Sequence, residues 1–344
     1  MSRPRGVLLV LDGLPHRHCN KRITPNLMRL AAEGGMAPDG GRAVLTSATY
    51  PNHASLVTAV APDRHGIFAN FVVRNEQIVA AETVGPQALT LFDLDVESAA
   101  VYGDQNLVGV TGATIATTHW PPNGVIPDDA VRTTDGYVAN ESTIEHLLLA
   151  LQSDAQLVVA QLNDPDTAGH LYGPDTDEAA AVYHATDADV AVIVEMLRSQ
   201  WDDTMLVIVS DHDQIAVTNP DCIDLWSPLR ERGLPLTVVP EGDAAVIIGD
   251  DPTNGRWLDA IVGVAGHERW HEGSRIAWAE PGRVFGWGAA TLKGIHGGPW
   301  TRTQVAVVTG GHRQVATVAD AISGRPPRVT LWPRVLARLV DRAL

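Results

Sequence analysis

Three short runs of aliphatic residues constrain the fold of this chain more than any other feature of its sequence. They are GVLLVL (6–11), QLVVAQL (156–162) and MLVIVS (205–210). Apolar runs of this length, rich in Val, Ile and Leu, are typical of parallel strands that are buried on both faces. Segments with helical spacing of apolar residues lie between them. This order predicts an α/β fold with a mostly parallel central sheet and helices on both faces.

Several other elements are indicated by start and stop signals or by apolar spacing. Thr24-Pro25 is a typical helix start, and Gly34-Gly35 is a typical helix end. A second helix, 53–60, is predicted to begin just behind Pro51. The remaining predictions are helices at 136–152, 176–199 and 332–340, and strands at 99–103, 244–249 and 303–309.

The amino-acid composition changes after Asp213. Residues 214–295 are rich in Pro, Gly and Trp and contain only short apolar runs. We interpret this segment as a small inserted lid subdomain. The catalytic core is then expected to comprise residues 1–213 and 296–344.

Composition narrows the possible partners and the cellular compartment. With 25 Lys+Arg against 41 Asp+Glu, the formal net charge of −16 argues against binding a nucleic acid polymer or an anionic membrane. The two cysteines, Cys19 and Cys222, are too few for a disulfide framework. The apolar run near the N-terminus ends at Asp12, which is too early for a signal peptide, and no stretch is long enough to span a bilayer. We therefore expect a cytoplasmic protein.

Acidic and imidazole side chains follow each of the three strongest strands. Because the carboxyl ends of parallel strands meet at one edge of a sheet, these side chains are expected to converge there. A further His lies in the Gly-rich stretch GIHGG (294–298). Asp166 and His170 alone have a spacing that any loop can produce. The full set is Asp12, Asp166, His170, Asp211, His212 and His296.

Three carboxylates and three imidazoles suit divalent metals such as zinc. They are too many for one tetrahedral ion and divide naturally over two ions about 3.5–4 Å apart, as in many phosphoryl-transfer sites. Thr49, in the stretch LTSATYPNH (45–53), could supply a hydroxyl that attacks phosphorus. On its own, the same Thr is more often a helix cap. His53, in the same motif, is interpreted as a structural buttress of this loop.

Taken together, the motifs resemble the alkaline phosphatase superfamily and, within it, the nucleotide pyrophosphatase/phosphodiesterase (type I phosphodiesterase) family. The matching stretches occur in the family's order between residues 7 and 298. They are VLLVLDGL, ITPNLMRLAAEGG, TYPNHASLVTAVAPDRHGIFAN, NDPDTAGHLYGP, VIVSDH and GIHGG.

The resemblance implies a role for each residue of the site. Thr49 would be the nucleophile, and Asn70 would donate a hydrogen bond to a phosphate oxygen. Two divalent metal ions are implied, with zinc expected and manganese also compatible with a carboxylate-rich site. One ion would be held by Asp12, Thr49, Asp211 and His212, and the other by Asp166, His170 and His296.

The sequence departs from the family pattern at two places. The family usually has Gly after the Ser-Asp-His motif, where this chain has Asp213. It also commonly has an aromatic residue after the late His-Gly, where this chain has Gly298-Pro299. The first change adds a carboxylate close to the site, and the second affects the surface that orients the substrate.

The leading functional prediction is a two-metal phosphodiesterase or nucleotide pyrophosphatase that acts on small nucleotide-type substrates through a phospho-threonine intermediate. A phosphonoacetate hydrolase is an alternative on the same site, with Lys293 or Arg302 holding the substrate carboxylate. A phosphomonoesterase is another. A metal-dependent phosphosugar mutase is an alternative of a different class.

Overall fold

The computed structural model describes residues 3–75, 77–271, 273–286 and 291–344. The strands of this part of the chain are β1 (Arg5–Leu11), β2 (Gly35–Met36), β3 (Gly41–Arg42), β4 (Phe71–Arg74), β5 (Gln77–Ala80), β6 (Ser98–Tyr102), β7 (Thr118–Trp120), β8 (Leu157–Leu162), β9 (Thr204–Val209), β10 (Ile215–Ala216), β11 (Thr237–Glu241), β12 (Ala244–Ile248), β13 (Val264–Arg269), β14 (Ser274–Ala279), β15 (Gly294–Ile295), β16 (Thr303–Gln304) and β17 (Ala306–Thr309).

The central sheet has seven strands among the described residues, in the order β2-β17-β9-β1-β8-β6-β7. Strand β1 lies between β8 and β9 and is parallel to both, whereas β17 is antiparallel to β9. The three aliphatic runs of the sequence therefore form three adjacent strands. The predicted mostly parallel α/β sheet is confirmed.

Helices cover both faces of this sheet, as the sequence predicted. Leu8 and Val10 of β1 belong to one apolar cluster, and Val7 and Leu9 belong to the other, because successive side chains of a strand point to opposite faces. The described helices are α1 (Pro25–Glu33), α2 (Thr49–Thr58), α3 (Pro62–His65), α4 (Leu107–Val110), α5 (Asn140–Gln152), α6 (Asp164–Tyr172), α7 (Asp177–Leu197), α8 (Trp226–Arg232), α9 (Gln314–Ser323) and α10 (Leu331–Leu339).

The register of the central strands brings their carboxyl ends to one line. Leu11 pairs with Leu162, and Val10 pairs with Val209. The backbone N–H of Asp12 then donates to the carbonyl of Leu162 at 3.0 Å. The segments that follow β1, β8 and β9 consequently start side by side, which is where the sequence predicted the site.

Two helices differ from the sequence-based expectation. Helix α2 begins at Thr49 and contains Pro51, which is tolerated because the first-turn N–H groups of a helix have no partner within it. The stretch 163–170, for which no helix was predicted, forms most of α6. Pro165 and two acidic residues in the first turn are favourable there, since Pro has a helical φ and carboxylates complement the helix dipole.

A second sheet lies within the segment that was predicted as an insert. Its four described strands run antiparallel in the order β11-β12-β14-β13 and cover an apolar core of their own that includes Trp257. Strand β10 pairs with β15, so the two ends of the segment are neighbours. The limits 214–295 and the role as a lid stay predictions. Trp287, one of the tryptophans of this segment, lies outside the described residues.

Among the described residues, none of the helices combines the length and the apolarity that crossing a bilayer requires.

Candidate metal centre and nucleophile

The first set of predicted ligands lies at the ends of two adjacent strands. Asp12 follows β1, and Asp211 and His212 follow β9 after one residue. His212 Nε2 is 3.5 Å from Asp12 Oδ1 and 3.3 Å from Asp211 Oδ2. The side chains are at most 1% exposed. We call these three residues the inner group.

The second set comes from α6 and from the loop after β15. Asp166 and His170 are one helical turn apart, with 3.4 Å between Asp166 Oδ2 and His170 Nε2. His296 Nε2 lies 3.1 Å from His170 Nε2 and 3.7 Å from Asp166 Oδ1. We call these three residues the outer group. All six predicted ligands are thus brought together.

The two groups are in direct contact. The rings of His212 and His296 stack with their centroids 3.7 Å apart. Possible ligand atoms of Asp166, His212 and His296 lie within 4.8 Å of one another, so His212 stands at the junction of the two groups. This arrangement places one imidazole beside the possible ligand atoms of both groups.

His53 is a further candidate that was interpreted from the sequence as structural. Its Nδ1 lies 2.9 Å from the carbonyl oxygen of Thr49, which agrees with a buttress. Yet a nitrogen of His53 also lies within 4.8 Å of carboxylate oxygens of both Asp12 and Asp211. The i,i+4 spacing from Thr49 in a helix was the available signal, because it places both side chains on one face.

Thr49 occupies the first position of α2, and its hydroxyl faces the inner group. Thr49 Oγ1 lies 3.2 Å from His212 Nε2. The positive end of the helix dipole favours negative charge at this position. Asn70 Oδ1 accepts a hydrogen bond from the backbone N–H of Tyr50 at 3.4 Å, so the NH2 end of this amide is the one that can donate to a ligand.

The hydrogen bonds of two imidazoles prepare them to bind metal. His212 Nδ1 lies 3.1 Å from the carbonyl oxygen of Asp213, and His170 Nδ1 lies 2.9 Å from that of Gly294. A carbonyl oxygen only accepts, so Nδ1 carries the proton in both rings. Nε2 is therefore the nitrogen left to bind a metal in both rings, which is the usual arrangement of a metal-binding His.

Each carboxylate has one oxygen engaged by a neutral donor. Gln161 Nε2 donates to Asp12 Oδ2 at 2.6 Å, and the backbone N–H of Gly13 donates to Asp211 Oδ1 at 3.1 Å. Gln214 Nε2 donates to Asp166 Oδ1. Within the described residues, Asp12 Oδ1 and Asp211 Oδ2 are buried without a hydrogen-bond partner. Such orphaned carboxylate oxygens, lying beside imidazole nitrogens, fit divalent cations.

The pKa shifts of the site residues are also consistent with a bound cation. Burial, together with the charges of Asp211 and Asp166, raises the pKa of Asp12 well above its ordinary value. Burial, together with His212, lowers the pKa of His296 well below its ordinary value. Buried carboxylates repel one another, and a bound cation removes that repulsion.

Gln161 and Gln214 were not identified from the sequence. Gln161 lies inside the buried strand β8, and Gln214 lies two residues beyond His212. A polar side chain in a buried strand needs a partner, so the position of Gln161 was an available signal. Its amide oxygen accepts from the backbone N–H groups of Gly103 and Asp104 at 2.8 and 3.0 Å.

Comparison with known families gives an independent result. Residues 6–269 match the family model described as type I phosphodiesterase / nucleotide pyrophosphatase. The chain belongs to this family. The match spans β1 to the end of β13 and includes every predicted site residue except His296.

Curated members of the phosphodiesterase family are moderately similar in sequence. The bis(5'-adenosyl)-triphosphatase enpp4 of Xenopus laevis is 25% identical over 238 residues, which are 65% of this chain and 50% of the relative. Human ectonucleotide pyrophosphatase/phosphodiesterase family member 5 is 24% identical over 233 residues, 64% of this chain and 47% of the relative. The chain thus spans about half the length of these relatives.

Solved structures share the fold of this family member. An inactive variant of murine ectonucleotide pyrophosphatase/phosphodiesterase 5 in complex with AMP superposes with a TM-score of 0.75 at 18% identity, covering 100% of this chain and 96% of that one. Phosphonoacetate hydrolase from Sinorhizobium meliloti, in complex with phosphonoacetate, gives a TM-score of 0.72 at 16% identity, covering 99% and 96%.

Asp213, where this phosphodiesterase family usually has Gly, is paired with a cation. Arg17 donates to the Asp213 carboxylate and also to Asp175 Oδ1 at 2.8 Å and the carbonyl oxygen of Gln214 at 3.0 Å. The extra carboxylate is therefore offset locally by a guanidinium. Asp213 belongs to neither of the two clusters of possible ligands found among the described residues.

The turn between β11 and β12 reaches the site from the second sheet. Glu241 Oε2 accepts a hydrogen bond from the backbone N–H of Asn70 at 2.6 Å, and Asp243 Oδ1 accepts from that of Gly298 at 2.6 Å. Burial raises the pKa of Glu241 to about 7. These contacts, which the sequence did not indicate, fix Asn70 and the His296 loop relative to each other.

A pocket of about 360 Å³ opens beside Thr49, Asn70 and the outer group. Its other described lining residues include Asp135, Tyr137 and Leu171. None of the lining residues in the described ranges is Lys or Arg. The two cations suggested for a phosphonoacetate hydrolase, Lys293 and Arg302, are absent from this lining.

Proposed function

We propose that this protein hydrolyses phosphodiester or phosphoanhydride bonds of small nucleotide-type substrates, with Thr49 as the nucleophile and two divalent metal ions in the inner and outer groups. The observation that carries the proposal is the position of Thr49 Oγ1, 3.2 Å from His212 Nε2 at a helix N-terminus. A cap residue would bond backbone N–H groups of its own helix instead.

The residues divide between two roles. Asp12, Asp211 and His212, with Thr49, would hold one ion, and Asp166, His170 and His296 would hold the other. Zinc is the expected metal and manganese the alternative, because the ligand set mixes imidazole and carboxylate. When bound, such ions lower the pKa of the attacking hydroxyl and offset charge on the phosphoryl and leaving oxygens.

The reaction proceeds in two displacements. In the first, Thr49 Oγ1 forms a bond to phosphorus and loses its proton, the bond from phosphorus to the leaving oxygen breaks, and that oxygen gains a proton. In the second, a water molecule attacks phosphorus and the bond to Thr49 breaks, which regenerates the hydroxyl. The Asn70 amide donates a hydrogen bond to a phosphoryl oxygen, where negative charge develops.

The charge of the pocket favours attack on a phosphoryl group that carries one negative charge, as in a diester or an internal anhydride, over attack on a group that carries two. A phosphomonoester or phosphonoacetate carries an additional negative charge that a nearby Lys or Arg usually offsets. Asp135, an acidic residue, lines the pocket instead. Among the relatives, one is named a bis(5'-adenosyl)-triphosphatase, and a structural neighbour is in complex with AMP. Both support a nucleotide-type substrate for this chain.

Thr49→Ala tests the assignment of the nucleophile. We expect a loss of about a thousandfold or more in the hydrolysis of bis(p-nitrophenyl) phosphate, because the group that forms the covalent bond is removed. Acid-quenched wild-type protein should carry a p-nitrophenyl phosphoryl group on the peptide that contains Thr49. Thr58→Ala, the same substitution at the other end of α2, is the matched control and should retain activity.

A substrate panel tests the proposed bond class. Dinucleoside polyphosphates and nucleotide sugars should be cleaved faster than simple monoesters or phosphonoacetate, in samples whose metal content is measured in parallel. Native turnover by Thr49→Ala would exclude the covalent mechanism. Faster turnover of phosphonoacetate than of every diester would exclude the proposed substrate class.

A further inference from the structure

A cavity of about 680 Å³ lies at the C-terminal end of α2, next to Ala59 and Val60. Of the residues that line it within the described ranges, none also lines the pocket beside Thr49. One described lining residue, Asp63, is acidic. The basic lining residues are Arg42, Arg64, Arg302, Arg328 and Arg334.

Among the described residues, these five guanidinium groups are not paired with carboxylates. Within the described part of the chain, none of them has a nitrogen within 4.0 Å of a carboxylate oxygen, whereas Arg17 and Arg29 elsewhere do. The chain has 41 acidic residues and 25 Lys+Arg, so acidic partners are abundant. Five unpaired cations around one cavity repel one another, and a bound anion would remove that cost.

Several of the arginines are held in place without being neutralised. Arg302 Nε donates to the carbonyl oxygen of Ala43 at 3.0 Å, and Arg334 Nη2 donates to that of Ala59 at 2.8 Å. Arg42 Nη1 lies 3.2 Å from the hydroxyl oxygen of Thr303. Burial, together with the charges of Arg42 and Arg328, lowers the pKa of Arg302, while Glu268 acts weakly in the opposite direction. The positive charges are therefore concentrated and preoriented.

We propose that this arginine cavity binds a small anion that carries two or more phosphate groups. Planar guanidinium groups form paired hydrogen bonds with phosphate oxygens, and a single ligand with several phosphate oxygens can bond to several of these groups at once. The cavity volume is in the range of small-molecule sites. A long polyanion is disfavoured because the net charge of −16 repels it outside the cavity.

The cavity is separate from the proposed catalytic pocket. Thr49 and Ala59 lie at opposite ends of the ten-residue helix α2, which spans about 15 Å at 1.5 Å per residue. An anion in the arginine cavity is thus too far away to reach Thr49. The proposal is independent of the proposed function, because binding there requires neither metal nor turnover.

The test measures binding of fructose 1,6-bisphosphate by titration calorimetry, with fructose 6-phosphate as the matched probe that has one phosphate. The full chain with its bound metal is used in a Thr49→Ala background, so that neither sugar phosphate is consumed. In this background the cavity variant combines Arg64→Gln and Arg328→Gln. Both side chains are exposed, and neither is among the arginines that anchor to the backbone.

We expect the bisphosphate to bind at least about tenfold more tightly than the monophosphate, and the cavity variant to lose at least about tenfold in affinity for it. A control with the same change in charge, Arg22→Gln with Arg232→Gln, lies outside the cavity and should bind like the parent. Equal losses in the two double variants, or no binding by the parent, would overturn the proposal. So would a cavity variant that binds normally but changes the oligomeric state, which would indicate an acidic protein surface as the occupant.

Discussion

The inner and outer groups supply the same kinds of ligand but are supported differently. Asp12, Asp211 and His212 follow adjacent strands whose register is fixed by backbone hydrogen bonds, and their side chains are at most 1% exposed. In the outer group, the side chain of His170 is 19% exposed and that of Asp166 is 10% exposed. The inner group is therefore set by the sheet itself, whereas the outer group depends on a helix, a loop and the second sheet.

This difference has a chemical consequence. The inner group adjoins the Thr49 hydroxyl, so under the proposed mechanism it would act on the nucleophile, and the outer group borders the pocket where the substrate would lie. A change in the inner group should abolish the reaction, and a change in the outer group should leave measurable turnover.

Ligand substitution should show the largest contrast. We expect Asp211→Asn to lower kcat/KM by more than about a thousandfold, because it alters the group beside the nucleophile. His170→Gln should lower it by about a hundredfold, since the outer group is more exposed and can rearrange. Metal content measured by mass spectrometry should fall in both variants. The reverse order of activities would contradict the contrast between the groups.

The pKa of Glu241, which links the second sheet to Asn70, predicts a pH effect on stability. Because this buried pKa is raised from 4.5 to about 7, the stabilisation is fully present below pH 4.5 and is lost as the pH rises through 7. The change amounts to about 3 kcal/mol in the free energy of unfolding. Glu241→Gln should lose this part of the pH dependence.

Urea unfolding at several pH values between 4.5 and 8 measures this effect. The quantity compared is the slope of the free energy of unfolding against pH in wild type and in Glu241→Gln, because other groups titrate in both proteins. Parallel pH profiles would show that the Glu241 carboxyl does not titrate in this range. Glu231→Gln, an exposed substitution in α8, serves as the control and should keep the wild-type slope.

The two glutamines that orient the carboxylates offer a finer comparison. Gln161→Met and Gln214→Met should each weaken metal binding by about 10- to 100-fold, as loss of a hydrogen bond to a ligand typically does. Gln161→Met, which removes a donor to Asp12 of the inner group, should be affected more. Gln161 also accepts from two backbone N–H groups, whereas Gln214 Oε1 is buried without a partner within the described residues. Titration with zinc and a competing chelator measures the affinities.

The exposed Gln200→Met is the control for this pair and should bind metal like wild type. Unchanged metal affinity in Gln161→Met would show that the sheet alone orients Asp12.

The smallest effect is expected at Asp213. Its partner Arg17 is 38% exposed, so solvent screens the pair and its contribution to stability is about 1 kcal/mol or less. A double-mutant cycle with Asp213→Gly and Arg17→Ala measures the coupling. A coupling of several kcal/mol, or a large loss of activity in Asp213→Gly, would show that this departure from the family pattern has a catalytic consequence.

Some features of the site lay beyond local sequence patterns. The helix that carries Asp166 and His170 was missed because its polar residues mask the apolar spacing, although Pro165 and the acidic first turn were favourable signals. The contacts of Glu241 with Asn70 and of Gln214 with Asp166 join residues 171 and 48 positions apart. Such contacts depend on how separate elements pack, which no local pattern encodes.

The sequence alone determined the central sheet, because long apolar runs have few ways to be buried, and it determined that Asp12, Asp211 and His212 follow strands that end side by side. It also identified Thr49, Asn70 and the remaining candidate ligands through the order of their motifs. Only the tertiary structure decided how the outer group meets the inner one, which donors orient the carboxylates, and that five arginines surround a separate cavity. Those features depend on contacts between segments that are far apart in the sequence. Such contacts form only when the chain folds and packs.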